Sequence, residues 1–151
     1  NDTQPPSAWG EIPLDGAWSF EESHGLLPPR LRRQGIRIVI SDLFWPGDPL
    51  PTLRKLTEGA AAVTLVQLLA PADLEPPKPG NVQLEDSETG ETLSLYIDTT
   101  IQEQYRQTLQ RLQQSWDHAA QQTGAELVTL IADNLQGSLR SLEECRTLEP
   151  A

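Results

Sequence analysis

Ser41 and Asp42 are the residues of this chain whose types and position most clearly suggest chemistry. They close the apolar run 35–40, and a loop with Pro46 and Gly47 follows them. In an α/β fold, the carboxyl end of a parallel strand is where open sheets keep their ligand sites. The pattern therefore indicates a candidate site at this strand end. Asp42 would be a cation ligand there, or Ser41 and Asp42 would form the centre of a hydrolase.

Both residues also have a simpler structural interpretation. A single carboxylate does not hold Mg²⁺, which keeps several waters and takes one or two carboxylates plus other oxygen ligands. Asp42 can instead cap backbone N–H groups of its own loop. A Ser-based hydrolase needs a general base, yet the sequence places no His near Ser41, and His24 and His118 lie far from each other along the chain. The hydrolase is therefore the weaker alternative.

Phe44 and Trp45 follow Asp42 in the same loop. Large apolar side chains at the functional end of a sheet are typical anchors for a protein partner. The alternative is that they pack against the Pro-rich N-terminal segment. The sequence therefore offers partner-binding residues here and no convincing catalytic residue, and both interpretations of the pair stay open.

Composition excludes several classes of function. The chain has 151 residues and a formal net charge of -11, which argues against a nucleic-acid surface. The single Cys rules out an internal disulfide, and no apolar run reaches the roughly 20 residues that span a bilayer. We expect a cytoplasmic segment without membrane contact, whose full-length protein can still carry an anchor. Because the chain begins with Asn1 and contains no Met, we expect it to be a fragment.

The hydrophobic pattern predicts an α/β domain over residues 30–148, preceded by an irregular segment rich in Pro and Trp over residues 1–29. The mostly parallel sheet is flanked by helices and carries an inserted β-hairpin. The predicted strands are 36–41, 61–69 and 126–132, and the hairpin strands are 81–85 and 92–96. The predicted helices are 50–59, 99–123 and 136–147, with the end of a short helix over residues 30–34 and a loop over residues 70–80.

Asp98 or Thr99 can cap the long helix, and Gly124 ends it. The first strand is nearly continuous in apolar residues, as in a strand covered on both faces, and alternation in the hairpin strands predicts one buried face. Short β-α-β connections favour parallel strands joined by a right-handed crossover.

This order of elements resembles the C-terminal half of a von Willebrand factor A-like domain. More closely, it resembles an uncharacterised bacterial family, domain of unknown function fifty-eight, whose members are encoded beside MoxR-type AAA+ ATPases. The matching features are Arg32-Arg33-Gln34-Gly35, Val39-Ile40-Ser41-Asp42-Leu43, the stretch from Thr64 to Leu74, the stretch from Leu84 to Glu91, and Tyr105 in the long helix. Together they cover about residues 30–148.

The resemblance implies assembly with a protein partner, plausibly a MoxR-type ATPase, and no catalysis. In von Willebrand A-like domains a divalent cation can bind an Asp-x-Ser-x-Ser loop, a Thr and a later Asp, and Asp42 matches that later Asp. The Asp-x-Ser-x-Ser element is not in this chain. We therefore expect no cofactor in this chain. Mg²⁺ binding is expected only for a full-length protein that carries the missing element.

The same resemblance leaves the first strand of the expected sheet without an upstream neighbour. An unpaired strand edge recruits other strands. We therefore expect either a homodimer or coverage of the edge by residues 1–29.

Overall fold

The computed structural model describes residues 31–45, 47–85 and 90–133, together with residues 137, 138, 140 and 142. The strands are β1 (Ile36–Ser41), β2 (Ala62–Leu69), β3 (Gly80–Glu85), β4 (Thr92–Ile97) and β5 (Glu126–Ile131). The helices are α1 (Pro49–Thr57), the single turn α2 (Pro71–Leu74) and the long α3 (Thr99–Thr123). The chain is thus an α/β protein, as the sequence predicts.

The main sheet contains three parallel strands in the order β1-β2-β5. Because β1 and β2 are neighbours, α1 is the crossover between them, and α3 leads from the hairpin into β5. The hairpin strands β3 and β4 pair antiparallel as a separate two-stranded sheet. The carboxyl ends of β1, β2 and β5 therefore meet at one edge, where the predicted site residues lie.

Helices α1 and α3 pack together on one face of the main sheet. Their apolar side chains enclose Val63 and Leu65 of β2, which are 3% and 0% exposed. Thr64 and Val66, whose side chains point to the other face of this central strand, are buried as well. The buried cluster consists of Leu43, Leu53, Leu56, Val63, Leu65, Trp116, Ala119 and Ala120. This core holds the loop after β1 through Leu43.

Short-range chemistry sets the helix ends. The Asp48 carboxylate accepts a hydrogen bond from Leu50 N at 2.9 Å, and the Asp98 carboxylate accepts one from Ile101 N at 2.9 Å. Each satisfies an N–H group that the first turn of a helix leaves without a partner. At the other end of α3, Gly124 adopts φ 71°, the left-handed conformation in which glycine costs least.

The structure corrects several details of the sequence prediction. The expected loop 70–80 contains the helical turn α2, and residues 31–34 are not helical. The apolar face of the hairpin is covered only in part: Ile97 is buried and Val82 and Leu95 are half-buried, whereas Leu84 and Leu93 nearer the turn are exposed. Within the described residues β1 is covered on one face only, since its Ile side chains on the face away from the helices are exposed. Isolated strand periodicity reports which residues share a face, but not whether another element lies against that face.

Other predictions fall on parts of the chain that the structure does not describe. Residues 1–29 and most of the predicted helix 136–147 lie outside the described residues. Within the described ranges, none of the helices combines the length and apolar character that crossing a membrane requires.

Candidate functional site

The Ser41 and Asp42 side chains build a tight hydrogen-bonded turn at the carboxyl end of β1. The Asp42 carboxylate accepts a hydrogen bond from Phe44 N at 3.1 Å, and the Ser41 hydroxyl donates to the same oxygen at 3.3 Å. The Ser41 hydroxyl oxygen in turn accepts from Leu43 N at 3.1 Å. Asp42 thus caps a backbone N–H group, which is the simpler of its two sequence interpretations.

A buried amide ties this turn to the neighbouring strands. Gln67 of β2 is only 2% exposed, and its Nε2 donates to the Asp42 carbonyl oxygen at 3.0 Å. Its Oε1 accepts from the Thr129 hydroxyl of β5 at 3.0 Å. The carboxyl ends of all three parallel strands are therefore linked by one side chain. A buried amide is stabilising in this position only because both of its ends are hydrogen-bonded.

The next residue, Leu43, is held by a side chain of α3. The Trp116 indole Nε1 donates to the Leu43 carbonyl oxygen at 2.9 Å, and this contact is buried. Leu43 has φ 60° and no exposed surface. A non-glycine residue in the left-handed region costs about 1–3 kcal/mol and persists where its surroundings over-determine it. Here the buried side chain and the indole hydrogen bond supply that constraint.

The two predicted partner-binding residues differ in environment. The Trp45 ring packs edge-to-face on the Trp116 ring, with centroids 5.2 Å apart and an interplanar angle of 73°. Trp45 is half-buried against the core. The Pro-rich N-terminal segment, the packing surface expected from the sequence, lies outside the described residues. Phe44 is 38% exposed. The structure thus leaves Phe44 as the more available anchor of the pair.

The described residues offer little for metal or acid–base chemistry around Asp42. Within these residues, no three His, Cys, Asp or Glu side chains come close enough together to hold a metal ion. A Mg²⁺ ion needs more oxygen ligands than the Asp42 carboxylate supplies, so the described residues do not fit this ion. The His118 ring, in turn, has its hydrogen-bonding contact with Gln122 on α3.

Tyr105 of α3 has a structural role beside the turn α2, which follows β2. Its hydroxyl donates to the Asp73 carbonyl oxygen of α2 at 2.9 Å. Burial raises the pKa of this phenol above its ordinary value of 10.0, and the nearby Asp73 carboxylate raises it further. Tyr105 therefore remains protonated as a donor at neutral pH and fixes the turn that follows β2.

Sequence reasoning singled out Ser41, Asp42, Phe44 and Trp45, and the structure places all four in one turn. Sequence reasoning missed Gln67 and Thr129, which hold this turn in the structure. A detectable signal existed for Gln67, because it is the one amide in the strand from Ala62 to Leu69, whose other residues apart from Thr64 are apolar. A polar residue inside a buried strand needs a buried partner, and such a partner marks a structured polar site.

Comparison with known proteins finds similar chains in mycobacteria. This chain is 30% identical over 105 residues to uncharacterized protein MAV169 of Mycobacterium avium. The matched region covers 68% of this chain and 60% of that protein. It is 28% identical over 102 residues to uncharacterized protein Mb1516 of Mycobacterium bovis and, equally, to uncharacterized protein Rv1480 of Mycobacterium tuberculosis. Each match covers 68% of this chain and 32% of the relative.

The chain thus spans about three fifths of the first relative's length and about a third of the other two. No solved structure matches it. One family model matches residues 16–116, which is most of the chain and includes the turn after β1. The chain therefore belongs to the family described as protein of unknown function DUF58.

Proposed function

We propose that this chain is a non-catalytic protein-interaction module and that the turn Asp42–Trp45 presents Phe44 to a partner protein. The observation that carries the proposal is the way this turn is held. Two backbone N–H groups, those of Leu43 and Phe44, are bonded by Ser41 and Asp42. Two backbone carbonyls, those of Asp42 and Leu43, are bonded by Gln67 and Trp116.

A turn held in this way has little conformational freedom left to lose when a partner binds. Ordering a loop and its side chains normally subtracts from binding affinity, so a pre-ordered loop binds more tightly with the same contacts. The left-handed conformation of Leu43 adds to this argument, because backbone strain of this kind is concentrated at binding and switch regions. Phe44 itself is apolar and partly exposed, as a binding anchor should be.

We propose a MoxR-type AAA+ ATPase as the partner, and a von Willebrand A-like module as the larger unit to which this sheet belongs. Support comes from the resemblance described above, in which such proteins are encoded beside these ATPases. The three parallel strands, with a polar turn at their carboxyl edge, are compatible with that module. Ser41 and Asp42 as a hydrolase centre is the less well supported function, because both side chains already serve the turn.

Binding to a purified MoxR-type ATPase in the presence of ATP tests this proposal. Titration calorimetry would compare the 151-residue chain with its Phe44→Ala and Tyr96→Ala variants. Tyr96 is a suitable control because it is an exposed aromatic on the separate hairpin. We expect Phe44→Ala to raise Kd about 10-fold or more, since truncating an anchor costs at least about 1.4 kcal/mol. Tyr96→Ala should leave Kd within about 2-fold.

Two results would contradict the proposal. If the chain fails to bind the ATPase with ATP, this partner is wrong. If binding occurs but Phe44→Ala and Tyr96→Ala behave alike, the turn is not the contact surface. Ester or phosphate hydrolysis that Asp42→Ala abolishes would favour the hydrolase instead.

A further inference from the structure

Strand β1 has an unpaired edge and an uncovered apolar face in the described part of the chain. It pairs with β2 on one side only, and it stands at the end of the strand order. On the face away from α1 and α3, Ile36, Ile38 and Ile40 are 60%, 50% and 68% exposed. Parallel strands are normally covered on both faces, and free edges bind further strands. This edge is therefore suited to another strand.

The hydrogen bonds of β1 show which of its backbone groups face the free edge. The Gly35 carbonyl accepts a hydrogen bond from Ala61 N, the residue just before β2, at 3.0 Å, so the Gly35 carbonyl points toward β2. Successive residues of a strand direct their backbone groups to opposite sides. The backbone N–H and C=O groups of Ile36, Ile38 and Ile40 therefore point outward. The three residues with exposed side chains are also the three with outward backbone groups.

We propose that a second copy of this chain pairs antiparallel with β1 about a two-fold axis at Ile38. The pattern is self-complementary about that residue, because Ile36 then lies opposite Ile40 of the second copy and Ile38 lies opposite itself. In each of these pairs the two residues exchange N–H···O=C bonds, which gives about six bonds across the axis. Identical patches that meet about a two-fold axis are the usual basis of homodimers. The result is a continuous six-stranded sheet.

The charges and side chains of β1 are compatible with this contact. Its single charged side chain, Arg37, is directed away from the Ile face and donates to the carbonyls of Leu56 and Glu58 near the end of α1. Six Ile side chains meet on one face, and apolar cross-strand pairs contribute about 0.2–1 kcal/mol each. The net charge of -11 on each copy opposes association at long range. The dimer should therefore strengthen as salt screens that repulsion.

Disulfide cross-linking tests the register directly. All variants carry Cys145→Ser, so that the introduced Cys is the only one. With Ile38→Cys, the two Cys residues face each other with Cα atoms about 5.5 Å apart, within disulfide range. With Ile36→Cys, the two Cys residues lie about 14 Å apart along the strands and cannot be joined. We expect mild oxidation to cross-link the first variant and at least about 10-fold less of the second.

Sedimentation equilibrium gives an independent readout on the unmodified chain at 0.15 M salt. We expect a concentration-dependent mass approaching twice 16.7 kDa. Ile38→Lys should shift the protein to the monomer, whereas Leu93→Lys, at an exposed apolar position on the hairpin, should not. A monomer at all concentrations, or equal cross-linking at positions 36 and 38, would overturn the proposal. So would a monomer that dimerises only after residues 1–30 are removed, because those residues would then be what covers the edge.

Discussion

Replacing Trp116 with Phe should destabilise the protein more than any comparable change in an exposed aromatic. Trp116 is 2% exposed, and its indole N–H is the group that bonds the Leu43 carbonyl. Phe keeps a ring but removes that donor. The Leu43 carbonyl is then left in an apolar environment without the bond it has in the native protein.

The magnitude follows from two contributions. A buried acceptor that loses its partner costs about 1–3 kcal/mol. The smaller ring leaves unfilled space beside Trp45 and Leu43, which adds about 1 kcal/mol. The expected loss is therefore about 2–4 kcal/mol in the free energy of unfolding. Since small domains have only about 5–15 kcal/mol in total, the change should be large enough to measure easily.

Urea unfolding followed by far-UV circular dichroism is the appropriate assay, because it does not depend on the tryptophan being replaced. With a urea slope of about 2 kcal/mol/M, the middle of the usual range, the midpoint should fall by about 1–2 M. Tyr96→Phe is the control, since it also removes a polar tip from an aromatic ring but at a position that is 63% exposed. That change should cost less than about 0.5 kcal/mol. Equal midpoints for the two variants would refute the role assigned to the Trp116–Leu43 hydrogen bond.

Two further outcomes are expected from the polar contacts. Gln67→Leu leaves the Asp42 carbonyl and the Thr129 hydroxyl without their shared partner. The midpoint of thermal unfolding should therefore fall by about 3–10 °C. The control Gln83→Leu, at an exposed position, should change this midpoint little. The pKa of the Tyr105 phenol is higher in the folded state than its ordinary value of 10.0. The stability that the protonated phenol contributes is therefore complete below pH 10.0 and is lost as the pH rises through the pKa of the folded state. Urea midpoints from pH 8 to pH 11 should therefore decline less steeply for Tyr105→Phe, and parallel curves would count against this contact.

The elements of the fold follow closely from local sequence. The 25 residues of α3 begin after the capping Asp98 and end at Gly124, as the periodicity and the capping signals predict. Strand β2 was predicted within one residue because a run of apolar side chains between Gly59 and Pro71 permits little else. Helix α2 was missed, because a four-residue turn opened by Pro71 has too few residues to show a helical period.

The candidate site was predictable in place but not in function. The position of Ser41 and Asp42 at a strand end was evident from the strand pattern, and parallel sheets place such residues at one edge. The hydrogen bonds from Gln67 and Trp116 join residues 25 and 73 positions apart along the chain. Contacts at such separation depend on how the elements pack, which no local pattern encodes.

The sequence by itself determined which residues form the five strands and the two longer helices α1 and α3, and that Ser41, Asp42, Phe44 and Trp45 would lie together after β1. These outcomes depend on backbone propensity and on neighbours within a few residues. Only the tertiary structure decided that the Asp42 carboxylate serves the turn, that Trp45 packs on Trp116, and that the Ile residues of β1 lie open. Burial and hydrogen bonding depend on what lies across the sheet, and that is set when distant segments pack together.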